Sequence, residues 1–148
     1  MENDYELLKE KFGNMIYITE YNNVGNLIIN VKHFNIKDLK KKYDIFVDFI
    51  YLLCLEALNL SKKNNHNTFT VHINLEQASM RNFSLKLFKK VNAKLTKNLE
   101  DVLDIMYIYG SGIFLINIFK IIKSFLDPVT SKKIVIIKQK KVKSKVLL

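Results

Sequence analysis

The feature that most constrains this chain is the alternation of short β-branched and aromatic runs with stretches long enough to be helices. The runs are MIYITEYNNVGNLIINV at 15–31, TFTVHINL at 68–75, LDIMYIY at 103–109 and IVII at 134–137. The first holds Asn22, Asn23 and Gly25 in its middle, so it reads as a hairpin or two successive strands. Between the runs, Asp38 can cap a helix from about 39 to 62, on which Ile45, Phe49, Leu52, Leu53 and Ala57 recur at helical spacing. A second helix is expected from about 82 to 97, with Leu85, Phe88, Val91 and Leu95 on one face and Lys86, Lys89, Lys90 and Lys94 mostly elsewhere. A third runs from 113 to 126 and carries Phe114, Ile118, Ile121, Ile122 and Phe125; Pro128, the only proline, stops it. Strands alternating with helices of this length need crossovers between parallel strands. The expected fold is therefore α/β, a mostly parallel sheet flanked by helices.

The ends are less patterned. Residues 1–13 read as a short helix or a leader, with Leu7, Leu8 and Phe12 as its packing face. Residues 138–148, KQKKVKSKVLL, read as a strand extension or a solvated basic tail. At 148 residues, 49% of them hydrophobic, the chain is expected to form a single domain over 1–148 with a packed interior. The uncharged stretch 105–119 is shorter than the roughly 20 residues of a spanning helix. Gly110 and Gly112 also break it, so a strand, loop and helix are expected there instead.

The formal charge of +10 points to polyanions, either nucleic acid or an anionic membrane surface. Arg81 is the only arginine, which leaves little material for bidentate readout of bases, and specific DNA binding is not expected. Part of the basicity accompanies a general excess of Lys, Asn and Ile. Cys54 is the sole cysteine and sits among Leu52, Leu53 and Leu55, so it reads as a buried structural thiol. A lone cysteine and an amino terminus without an apolar signal run suggest a cytoplasmic protein. His33, His66 and His72 show no metal-ligand spacing, and GSG at 110–112 lacks the surroundings of a phosphate loop or nucleophile elbow. No enzyme, metal or cofactor is expected.

The second half of the chain resembles the CRAL-TRIO lipid-binding family. The most specific stretch is IFKIIKSFLDPVTSKKIVII at 118–137, similar to that family's gate helix, Leu-Asp turn, threonine, and Lys-Ile leading into a strand. Upstream, NLEDVLDIMYIYGSGIF at 98–114 is similar to the family's Tyr-Pro-Glu-Arg-Leu segment and Asn-x-Pro loop. FTVHINLEQAS at 69–79 resembles its central strand, and GNLIINVKHFN at 25–35 its first. The similarity covers roughly 25–137 and is strongest over 68–137. Asn74 stands where the family has Asp, Leu99 where it has proline, Tyr109 where it has asparagine and Ser111 where it has a second proline. The family's helical lobe and final segment find no full counterpart, so the chain resembles a reduced version.

The resemblance implies a non-enzymatic lipid-binding or lipid-transfer module acting at membrane surfaces, possible ligands being phosphatidylinositol or another hydrophobic molecule. By position, Glu100, Thr130 and Lys133 match the residues that hold an inositol phosphate. Their chemistry suits it: a cation for phosphate, a short donor, and an acceptor for hydroxyls. Phe114, Ile118, Ile121, Ile122 and Phe125 would line the acyl pocket or form the gate. The alternative is a protein-interaction scaffold with a degenerate pocket. A third reading is non-specific nucleic-acid binding through the lysines of 138–145.

Overall fold

The computed structural model describes residues 2–124 and 126–139, so the basic tail from 140 onward lies outside the described residues. Helix α1 (Glu2–Phe12) leads into strands β1 (Ile16–Tyr21) and β2 (Val24–Asn30). The two pair antiparallel, Ile16 opposite Ile29 and Tyr21 opposite Val24. Asn22 and Asn23 make the turn at φ of 54° and 65°. Asparagine tolerates this left-handed region, and two such residues in a row give the turn whose twist matches a hairpin.

Beyond β2, a short helix α2 (Ile36–Leu39) precedes the long α3 (Tyr43–Lys63). One continuous helix beginning near Asp38 was expected; the structure breaks it at residues 40–42. Asn35, not Asp38, caps α2 by accepting the amide of Lys37. Three successive lysines at the start of a helix oppose its positive N-terminal dipole and each other, while buried Leu39 and Tyr43 anchor the two sides of the break. The buried face of α3 also differs from the expected one. Phe46, Phe49, Ile50, Leu53, Cys54 and Ala57 are buried, whereas Ile45 and Leu52 are 45% and 41% exposed. The helix is apolar around most of its circumference, so spacing alone does not choose the inward side.

Strand β3 (Phe69–Asn74), α4 (Leu85–Leu99), β4 (Leu103–Gly110), α5 (Gly112–Lys123), α6 (Pro128–Lys132) and β5 (Ile134–Lys138) follow. Ser84 starts α4 by accepting the Leu87 amide at 3.1 Å. Asp127 caps α6 by accepting the Thr130 amide at 2.8 Å, with Pro128 in the first turn, where its missing N–H costs nothing.

The five strands lie in sequence order, β1-β2-β3-β4-β5, and every pair except the first is parallel. The expected mostly parallel sheet flanked by helices is present. Because the order never reverses, right-handed crossovers place their helices on the same face. Register sets Leu27, Val71, Met106 and Ile134 in one row across that face, and Ile29, Ile73, Ile108 and Ile136 in the next. These rows meet α3 to form the core, in which each fully buried large side chain contributes about 1.5–3 kcal/mol.

Candidate functional site: an apolar hollow beneath two helices

Helix α3 lies directly on β2, while α4 packs on α3 and stands back from the sheet. Ion pairs from Lys90 to Asp44 at 3.1 Å and from Lys94 to Asp48 at 3.5 Å span the α3–α4 seam. Exposed pairs of this kind contribute at most about 1 kcal/mol. Between the sheet and α4 is a cavity of about 110 Å³, floored by Val71, Ile73, Met106 and Ile108 and roofed by Leu87, Phe88, Val91 and Leu95. Ile118 and Ile122 of α5 close its side and are 1% and 2% exposed. The lining is almost wholly apolar. An apolar cavity of about 150 Å³ stays dry and accepts benzene, so this volume suits a fragment of an acyl chain.

Not every residue expected at the gate reaches the cavity. Phe114 is half-buried and packs against the core, and Ile121 is half-buried, but neither lines the hollow. Phe125 lies outside the described residues. The other side of α5 faces outward and is also apolar: Ile113 is 75% exposed and Ile116 41%, with Val129 of α6 at 52%. Lys120 and Lys123 are exposed beside them. Among the described residues no helix is long and apolar enough to cross a membrane.

A smaller hollow of about 20 Å³ adjoins the cavity at the start of β4 and β5. Thr130 and Lys133 line it, together with Asn92 and Thr96 of α4. Asn92, Leu95 and Met106 border both hollows, so the apolar chamber adjoins a small, largely apolar hollow that also carries four polar side chains. Thr130 is 6% exposed, and its carbonyl accepts the Lys133 amide at 3.0 Å. The Lys133 carbonyl in turn accepts the Met106 amide at 2.8 Å, fixing that turn to the sheet. Glu100 opens a single 3-10 turn (Glu100–Val102) between α4 and β4, and its side chain lies outside the described ones. Sequence reasoning missed Asn92 and Thr96; the available signal was a polar pair four apart on the helix that otherwise carries the apolar roof.

Two further groups have settled environments. Cys54 is fully buried, and burial pushes its thiol up to about 12, the behaviour of an inert structural cysteine. His72 lies between Tyr109, whose hydroxyl is 2.7 Å from Nδ1, and Asn26, whose Oδ1 is 2.7 Å from Nε2. Asn26 Nδ2 donates to the Val24 carbonyl at 2.8 Å, which orients the amide so that Nε2 carries the imidazole proton. Burial holds the His72 pKa below its ordinary value, and burial followed by the neighbouring Tyr107 raises that of Tyr109.

The model of the CRAL/TRIO domain matches residues 11–147. The solved structure of Sfh5 superposes with a TM-score of 0.66 at 19% identity, over 86% of this chain and 48% of that one. The chain thus spans about half the length of that relative. Among curated proteins none matches. With the family model covering almost the whole sequence and the sheet and helices arranged as described, the chain belongs to the CRAL/TRIO domain family.

Proposed function

We propose that this chain is a non-enzymatic lipid-binding or lipid-transfer domain that works at membrane surfaces, with phosphatidylinositol as the ligand to test first. One observation carries the reading: an apolar hollow beneath α4 and α5 borders a smaller one in whose lining Thr130 and Lys133 join Phe69, Leu99 and Leu103. An acyl chain would enter the hollow while the phosphate meets the lysine, a pairing of charge and short donor suited to a phosphodiester. Glu100 is proposed as the acceptor for inositol hydroxyls. Phe114, Ile118, Ile121, Ile122 and Phe125 are proposed as acyl-pocket or gate residues, with Ile113 and Ile116 entering the bilayer. Ligand pockets usually enclose about 300–1,000 Å³, so loading requires α5 to swing away from the sheet.

The same small volume favours a second reading, a protein-interaction scaffold whose lipid pocket has closed. Native mass spectrometry of the purified chain and lipid exchange between vesicles separate the two. A retained lipid, lost on Lys133→Ala with the fold intact, supports the first. No retained lipid and no exchange would sink it in favour of the scaffold.

A further inference from the structure

Strands β2, β3 and β4 are parallel, so the segments that follow them, residues 31–42, 75–86 and 111–116, leave from one end of the sheet. Side chains knit these segments together. Asn82 Nδ2 donates to the carbonyls of Lys32 at 3.1 Å and Phe34 at 2.6 Å, the hydroxyls of Tyr43 and Ser84 lie 3.0 Å apart, and the Ser111 hydroxyl donates to Glu76 at 3.4 Å. Phe34, Leu39 and Tyr43 are buried beneath them, so this end is one fixed surface and not a set of independent loops.

Lys32, Lys37, Lys40, Lys41, Lys42, Arg81 and Lys86 are all exposed there, and the three segments hold only two carboxylates, Asp38 and Glu76. At the opposite end of the sheet the signs are mixed: Lys62, Lys63 and Lys97 share it with Glu20, Asp101 and Asp104. Among the described residues the positive excess is therefore gathered at the first end. Apolar side chains also project from it, Met80 being 59% exposed, Ile113 75% and Ile116 41%.

We infer that this end is the surface by which the chain docks on an anionic bilayer, its lysines meeting the headgroups while Met80, Ile113 and Ile116 enter the layer beneath. The inference rests on the reading that the domain works at membrane surfaces, and it adds which end of the fold meets the lipid. Nucleic acid would leave the three apolar side chains in water. Lysine is a flexible point charge suited to a fluid layer of anions, whereas the fixed oxygens of a phosphate backbone or an acidic protein favour the arginine fork, of which this end has one. A polybasic cluster beside exposed apolar side chains gains from both electrostatic attraction and insertion.

Co-sedimentation of the full chain with vesicles of phosphatidylcholine and about 30% phosphatidylserine, in about 0.1 M salt, tests this. Each lysine at such a surface is worth about fivefold in affinity, so Lys40→Gln, Lys41→Gln and Lys42→Gln made together should weaken binding about a hundredfold. Lys62→Gln, Lys63→Gln and Lys97→Gln made together remove the same charge well beyond a Debye length of about 10 Å from the lipid and should weaken it about fivefold or less. All six side chains are exposed, so circular dichroism should show both triple variants folded. Equal losses in the two variants would overturn the inference while leaving attachment by net charge standing. A parent chain that does not bind these vesicles, or that binds a DNA duplex more tightly, would overturn it together with the membrane reading.

Discussion

The backbone amide of Gly25 donates to the hydroxyl of Ser61 at 2.7 Å, stapling the first turn of β2 to the last turn of α3. The approach is so close that a Cβ at Gly25 would lie 1.8 Å from the carbonyl oxygen of Ala57. Helix and strand touch backbone to backbone there, and only glycine permits it. Ser61→Ala leaves a buried N–H without its partner and should cost about 1–3 kcal/mol. Gly25→Ala must push α3 off the sheet and should cost about 3 kcal/mol or more. Urea unfolding of the two variants checks both, and an unchanged midpoint for Gly25→Ala would contradict this packing.

Helix α5 has two apolar sides with different expected fates. Ile118 is 1% exposed and Ile113 75%. Ile118→Asp buries an unpaired carboxylate and should cost about 4 kcal/mol or more, while Ile113→Asp should stay within about 0.5 kcal/mol of the parent. Ile113→Asp should nevertheless reduce binding to anionic vesicles in a flotation assay if the outer side meets lipid. Normal flotation of a folded Ile113→Asp variant would remove α5 from the membrane contact.

His72 predicts a pH dependence whose sign follows from its burial. Its folded pKa is depressed from the ordinary 6.5, and the groups around it are Asn26, Tyr107 and Tyr109, none of them a carboxylate. The unfolded chain therefore binds the proton more readily. Its contribution to stability is complete above pH 6.5 and is lost as pH falls through 6.5 towards the folded value. Thermal melts at about pH 7.5 and about pH 5.5 should show a larger loss of Tm in the parent than in His72→Gln. Equal losses would mean that the imidazole remains free to charge in place.

Much of the architecture was legible because two periods dominate the text. Runs of the IVII and TFTVHINL kind fit only buried strands, and the spacing of Phe88, Val91 and Leu95 fits only a helix with one apolar side. The hairpin turn was visible in Asn22 and Asn23, which reach positive φ at little cost. The long helix after β2 was misjudged at its start because the lysine run matters through its electrostatics, which a hydrophobic pattern does not register. Its inward side was misjudged because an almost wholly apolar helix offers several stripes of similar strength.

For the site, resemblance supplied Thr130, Lys133, Ile118 and Ile122, while residue pattern alone placed the two isoleucines on a helix. Asn92 and Thr96 appeared only when α4 was set over the ends of β4 and β5. No local signal marks a polar pair on a helix as the wall of a hollow, since that depends on what the crossover brings opposite it.

By itself, the sequence determined the order of strands and helices, the parallel crossovers and the inert cysteine, because local backbone preference and the burial of apolar side chains act within a few turns of chain. Only the tertiary structure decided that α4 stands off the sheet to leave a hollow, and that β2 meets the backbone of α3 at Gly25. Both depend on which residues from distant segments meet across a layer, a property of packing that no stretch of residues carries alone.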